Sequence, residues 1–203
     1  MIPIELLDPF ALGTLVVMPI RSFAFAKQRL GDAFSDDARH SLAVTLADRV
    51  AAAAGRLSVL VVSNDVEVVA WAQARLAFSI ADPGSLSTAA AAGRTWAAEH
   101  AMHHCIIAHA DLAFADDLER VLRPGLPTRA VVVPDRFDDG TPVISLPTAG
   151  PFDFGYGPGS FHHHCAAAHA AGFDVEIMRD RLLGFDVDEP ADVTIMDNGP
   201  HPN

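Results

Sequence analysis

Cysteine, basic side chains and long apolar runs are all scarce in this 203-residue sequence, and each scarcity removes a class of protein. Two cysteines, Cys105 and Cys165, cannot build a framework of bridges and do not have zinc-pair spacing, so both read as small buried hydrophobes. No apolar run reaches the roughly 18 residues of a membrane span, and the N-terminus lacks a basic region followed by an apolar block and a cleavage site. The chain is expected to be soluble and cytoplasmic, without a membrane partner. Lys and Arg number 14 against 26 Asp and Glu, a formal net charge of −12. Nucleic acid is thereby excluded as a partner, because phosphate backbones are held by clustered cations. An anionic ligand would need a few placed basic side chains or a bound metal. No G-x-x-x-x-G-K-[ST] occurs, which excludes a P-loop. No linker or repeat interrupts the chain, so residues 1–203 read as one domain.

What is present is an alternation of short apolar runs with helical segments. "GTLVVMPI" (13–20) reads as a buried strand, and Ser35 to Gly55 as a helix capped by the serine and ended by the glycine. "RLSVLVVSND" is a second strand, after which Asn64 with Glu67 signals the cap of a further helix. "AFSIADPG" is a strand and turn, "SLSTAAAAGRTWAAEHAMHH" an alanine-rich helix, and "CIIAHADL" a strand ending at an aspartate. The second half is less regular: "RAVVVPDR", "TPVISLP" and "DVEIM" read as strands, "SFHHHCAAAHAAG" as a helix, and "LLGFDVDEPADV" as a strand end entering a last helix. The fold class is α/β, a mostly parallel sheet covered by helices on both faces, with ligands beyond the carboxyl ends of the strands.

Those ends carry the chemistry. Asp111 follows the fourth strand, while Asp186 and Asp188 flank Val187, so an extended backbone turns both side chains to one face. Carboxylates gathered this way suit Mg²⁺, which takes one or two protein carboxylates alongside phosphates. The alternative is that Asp188 or Glu189 caps the helix opened by Pro190. Arg21, Lys27 and Arg29 lie in and after the first loop, placed either to meet phosphates or as a solvated helix start. In "FGYGPGSFHHH" (154–164) the glycines come too late for a dinucleotide fingerprint, and three consecutive histidines on a helix cannot share one metal. An anion seat remains, with Gly157, Gly159 and Ser160 leading into a helix N-terminus.

Taken in order, "MPIRSFAFAKQRL", "VVSND", "DPGSLSTAAAAG", "ADL", "DGT", "FGYGPGSF" and "FDVDEPADV" resemble the 2-phospho-L-lactate guanylyltransferase family, which includes the phosphoenolpyruvate guanylyltransferases of coenzyme F-420 biosynthesis. The resemblance runs from about Val16 to Val193. It implies a nucleotidyltransferase fold of the glycosyltransferase-A type, an enzyme transferring GMP from GTP to the phosphate of a small phosphorylated carboxylic acid, and a possible homodimer. By that match Asp111, Asp186 and Asp188 would hold Mg²⁺, with Asp111, Lys27 and Arg29 acting in catalysis. Arg21, Lys27 and Arg29 would face the GTP phosphates, Ser63, Pro83, Gly84 and Ser87 would lie near base and ribose, and Thr141, Gly157 and Ser160 would seat the phospho-acid. No histidine would be indispensable. The chain departs from the family pattern at Arg21 (usually lysine), Ser87 (asparagine), Ala113 (proline) and Pro142 (asparagine). Arg21 keeps the charge, whereas Ser87 and Pro142 remove amides able to read a base or a substrate. A homologue with another nucleotide or acceptor, or one that binds without catalysis, is the alternative.

Overall fold

The computed structural model describes residues 13–31, 33–122 and 128–199. Among them a seven-stranded sheet runs through the molecule: β1 (Thr14–Pro19), β2 (Ser58–Val62), β3 (Phe78–Ile80), β4 (His104–Ala108), β5 (Arg129–Val133), β6 (Val143–Pro147) and β7 (Asp174–Ile177), in the order β3-β2-β1-β4-β6-β5-β7. β1 pairs in parallel with β2 and β4, β2 with β3, and β5 with β7, while β6 runs antiparallel to both β4 and β5. The sheet is therefore mostly parallel with one reversed strand. Five α-helices accompany it among the described residues: α1 (Asp36–Ala53), α2 (Val66–Ala74), α3 (Leu86–Glu99), α4 (Ser160–Ala170) and α5 (Pro190–Asn198).

Continuous apolar runs form the strands because both sheet faces are covered. On β1, Val16 and Met18 face a core shared with Ala43, Ala47 and Val50 of α1 and Val68 and Trp71 of α2. Leu15 and Val17 face the opposite core, shared with Ala89, Ala90 and Ala97 of α3 and Phe161 and Ala168 of α4. Alternate side chains of one strand thus serve the two layers. The alanine-rich α3 sits close to the sheet: a Cβ at Gly93 would stand 2.2 Å from Val17 Cγ1, so only glycine fits there. A third cluster, Leu30, Leu46, Ala113, Val187 and Val193, ties the loop after β1 to the segment before α5.

Helix ends follow local chemistry, with one difference from expectation. Ser35 accepts from Ala38 N–H at 3.3 Å, as its position suggests. At α2 the cap is Asp65, whose carboxylate accepts from the N–H groups of Glu67 (2.9 Å) and Val68 (3.3 Å). Asn64 instead joins the loop after β3, donating to Asp82 O at 2.6 Å and accepting from Asp82 N–H at 3.1 Å. With Asn64 engaged by Asp82, Asp65 takes the cap. No helix among the described residues is long and apolar enough to cross a membrane.

Candidate active site

The loop after β1 is drawn back over the carboxyl end of the sheet by Lys27. Its backbone takes a left-handed conformation (φ +56°), and its side chain is 7% exposed. The ammonium lies 2.5 Å from Asp111 Oδ2 and 3.7 Å from Asp188 Oδ1, and donates to the Val187 carbonyl. Arg29 Nη1 donates to Asp188 Oδ2 at 3.1 Å from the solvent side. Asp111 and Val187 are locked together, since Val187 N–H donates to Asp111 O at 3.1 Å beside a single bridge of Leu112 with Asp186. The anticipated strand end over 182–188 is thus a single bridge at Asp186, and the next residue, Val187, turns into the third cluster.

Charge explains the arrangement. Burial raises the Asp111 pKa, but the Lys27 ammonium, then His109, outweigh it and hold the carboxyl below its ordinary value. Asp186 goes the other way: burial first, then the Asp111 and Asp188 carboxylates, push it up to about 6. Asp111 Oδ1 is buried with no hydrogen-bond partner among the described residues. A carboxylate with one idle oxygen, beside a second that resists ionisation, is a site short of positive charge, and the hard oxygen donors fit a divalent cation such as Mg²⁺. Lys27 spans Asp111 and Asp188, and among the described residues no three His, Cys, Asp or Glu side chains stand grouped as metal ligands.

The backbone that presents the acidic pair is held from behind by Arg136. Its Nη1 donates to Asp186 O at 3.3 Å and its Nη2 to Asp192 at 2.7 Å, with the guanidinium lying over Phe137 and Phe185. Asp192, itself buried, accepts from the N–H groups of Asp188 and Glu189, both at 2.8 Å. Glu189 occupies the N-cap position of α5, so the Asp188 carboxylate is not used as a cap and faces Lys27 and Arg29. Nothing in the spacing of "DVDEP" identifies Arg136, which lies 50 residues before Asp186 and reaches it only through tertiary packing.

A cleft of about 490 Å³ opens beside this array, lined by Arg21, Lys27, Arg29, His109, Asp111 and Asp188 together with Phe25 and Leu86. The structure therefore gathers Arg21, Lys27, Arg29, Asp111 and Asp188 on one cleft. Ser63, Pro83, Gly84 and Ser87 stand at the ends of β2 and β3 and the start of α3, outside its lining, as do Asp186, Thr141, Gly157 and Ser160. The helix-start anion seat differs from expectation: Asp139 already fills it, its carboxylate accepting from Gly159 N–H at 3.0 Å and its carbonyl from Phe161 N–H at 2.9 Å. The run of histidines had hidden a further member of this region. His164 is fully buried, accepts Gly155 N–H at Nε2 (3.1 Å) and so presents Nδ1–H to Thr141 Oγ1 (3.0 Å). Burial, then His163 and His109, bring its pKa down to about 4. The signal available was its spacing four residues from Ser160 on the helix face that turns inward.

The family profile described as guanylyl transferase CofC like matches residues 14–199. The chain belongs to this family. A phosphoenolpyruvate guanylyltransferase of Sphaerobacter thermophilus is 32% identical over 188 residues, covering 89% of this chain and 90% of that protein. One of Rubrobacter xylanophilus is 32% identical over 189 residues, with 90% and 92% covered. Among solved structures, one described as a nucleotide-diphospho-sugar transferase of Desulfovibrio desulfuricans superposes with a TM-score of 0.71 at 15% identity, covering 89% of this chain and 84% of that one. The 2-C-methyl-D-erythritol 4-phosphate cytidylyltransferase of Thermus thermophilus gives 0.55 at 13% identity, covering 90% and 96%. This member of the CofC-like family is thus a nucleotidyltransferase enzyme with a sheet of the glycosyltransferase-A type.

Proposed function

We propose that this enzyme transfers GMP from GTP to the phosphate of a three-carbon phospho-acid, phosphoenolpyruvate before 2-phospho-L-lactate, releasing pyrophosphate in coenzyme F-420 biosynthesis. The observation that carries the reading is the array of Lys27, Asp111 and Asp188 at the carboxyl end of β1 and β4, beside a cleft lined by Arg21 and Arg29. The choice of phosphoenolpyruvate rests on the two curated relatives.

In the reaction an acceptor phosphate oxygen forms a bond to the α-phosphorus of GTP, and the bond from that phosphorus to the β-bridging oxygen breaks, its electron pair leaving with pyrophosphate. A phosphate monoester, with a second pKa of about 6, is already largely dianionic at neutral pH, so no side chain needs to remove a proton. Repulsion between anions is the obstacle. Arg21 and Arg29 line the cleft as cations available to the triphosphate, and Lys27 beside Asp111 would counter the charge that builds up in the reaction. Asp111, Asp186 and Asp188 would hold Mg²⁺, which supplies charge neutralisation and a template for the phosphates. Ser87 and Pro142 do not leave gaps: Ser87 Oγ accepts Tyr156 N–H at 2.9 Å, and Pro142 O accepts His109 N–H at 2.9 Å.

The test is pyrophosphate release with GTP and Mg²⁺ against phosphoenolpyruvate, 2-phospho-L-lactate and 3-phosphoglycerate, with ATP as a control and Asp111→Asn as the defective protein. Release with GTP and one acid, lost in the variant, supports the proposal. Nucleotide binding without release, in folded protein, would favour a binding homologue instead.

A further inference from the structure

A second cavity lies on the other side of the acidic segment from the cleft. Its volume is about 500 Å³, within the roughly 300–1,000 Å³ of small-molecule sites, and it shares no lining residue with the cleft. Phe185 lines this cavity and Asp188 lines the cleft, so residues 185–188 are the partition between the two. Part of the wall is apolar, made by Phe114, Pro134, Phe185 and Ile195 of α5, with the Phe114 and Phe185 rings 5.2 Å apart. A Cβ at Gly184 would stand 2.6 Å from Pro134 O, so glycine lets the turn after β7 close against the end of β5.

The polar part of the wall carries surplus positive charge. Its three carboxylates are already engaged. Asp135 accepts from the N–H groups of Phe137 (2.9 Å), Asp139 (3.0 Å) and Gly140 (2.8 Å). Asp180 accepts from Leu182 N–H (2.8 Å), Leu183 N–H (3.1 Å) and Arg120 (3.0 Å). Asp138 pairs with Arg179 at 3.0 Å, but the two side chains are 48% and 62% exposed, and a pair so solvated is easily exchanged. Arg181 is exposed and has no ion-pair partner among the described residues. The third arginine of the wall, Arg136, is held between Phe137 and Phe185 while it donates to Asp186 O and Asp192. On a chain with a net charge of −12, three of 14 basic side chains thus meet around one half-apolar cavity.

We propose that this cavity is a second ligand site, for a flat aromatic anion, whose occupant acts on the acidic segment through Arg136. The rings and Ile195 suit the apolar body of such a molecule, and guanidinium groups both stack on aromatic faces and pair with anions. A bare inorganic anion would meet a single uncompensated arginine and no use for the apolar wall. An anion drawn to Arg136 competes with Asp192, whose carboxylate accepts the Asp188 and Glu189 N–H groups, so occupancy loosens the turn that presents Asp188. The inference is independent of the guanylyl-transfer reading.

The experiment titrates the full chain with 1-anilinonaphthalene-8-sulfonate, read by fluorescence, in wild type, Arg181→Glu and Ile195→Trp, with and without excess GTP. Naphthalene-2-sulfonate and inorganic sulfate serve as competitors. The expected result is one saturable site that GTP leaves in place and that naphthalene-2-sulfonate, but not sulfate, empties. Arg181→Glu should weaken the probe roughly 5- to 30-fold at an unchanged melting temperature, since the side chain it replaces has no ion-pair partner among the described residues. Ile195→Trp should fill the cavity and abolish the site; if that variant does not fold, Arg181→Glu decides alone. In wild type, saturation with the probe should speed amide hydrogen exchange at Asp188 and Glu189. Displacement by GTP, a titration that does not saturate, or a folded variant that binds as wild type does overturns the site. Equal competition by sulfate overturns its aromatic character, and unchanged exchange at Asp188 and Glu189 overturns the link through Arg136.

Discussion

Replacing Lys27 with methionine should expose the electrostatics of the site most sharply. The lysine is 7% exposed and is the ion-pair partner of Asp111 Oδ2, whose companion Oδ1 has no partner among the described residues; Asp188 keeps Arg29. Removing one member of a buried pair costs about 3–5 kcal/mol when the other stays charged and dry. Asp111 and Asp188 are 28% and 44% exposed, so water recovers part of that loss and about 2–4 kcal/mol is the expected cost. For a chain of this length that corresponds to roughly 5–12 °C in Tm. The methionine inherits the left-handed backbone, so the change reports charge rather than conformation. Urea unfolding of wild type, Lys27→Met, Asp111→Asn and the double variant in metal-free buffer gives the coupling energy, expected to be at least about 1 kcal/mol. Addition of Mg²⁺ should stabilise Lys27→Met more than wild type. A Lys27→Met protein as stable as wild type, or additive single effects, would refute the reasoning.

Four further outcomes are expected. Asp186→Asn should abolish turnover yet stabilise the metal-free protein above pH 6 by about 1–2 kcal/mol, because the pKa near 6 means that ionising Asp186 opposes folding; the gain should vanish below pH 4 in pH-dependent urea melts. His104 and His164 are held neutral by burial to about 4, against 6.5 when unfolded. The unfolded chain therefore binds protons first as pH falls through 6.5, and stability should drop by about 2 kcal/mol per histidine between pH 7 and 5, with a shallower slope in His164→Asn. Arg136→Met should raise the Mg²⁺ concentration needed for half-maximal activity by about 10- to 100-fold while leaving the KM for GTP near its starting value, because Asp186 and Asp192 lose their common donor. Gly93→Ala forces its new methyl group into Val17 and should cost about 1–3 kcal/mol in urea unfolding.

Elements and charges that depend on nearby residues were legible in the sequence. Apolar runs located the seven strands, and Asp111, Lys27 and Arg29 stood out by their positions after strands. What required the fold was pairing at long range. Lys27 meets Asp111 across 84 positions and Val187 across 160, so its role as the cation between two acidic segments cannot be read from either segment alone. Asp139 claims the start of α4 from 20 residues away and displaces the anion seat that the glycines suggested. Asp65 outcompetes Asn64 as a cap because Asn64 has Asp82 to bind, a partner brought by strand pairing of β2 with β3. Three consecutive histidines look equivalent in sequence, and only burial separates His164 from its neighbours.

The central claim is that this site joins GMP to a phospho-acid. The most direct measurement is ³¹P NMR of GTP, Mg²⁺ and phosphoenolpyruvate incubated with the wild-type and Asp111→Asn proteins. The account predicts coupled resonances of a new phosphoanhydride appearing in step with pyrophosphate, and neither with the variant. Pyrophosphate without the coupled pair, or an unchanged spectrum from folded wild-type protein, would contradict it.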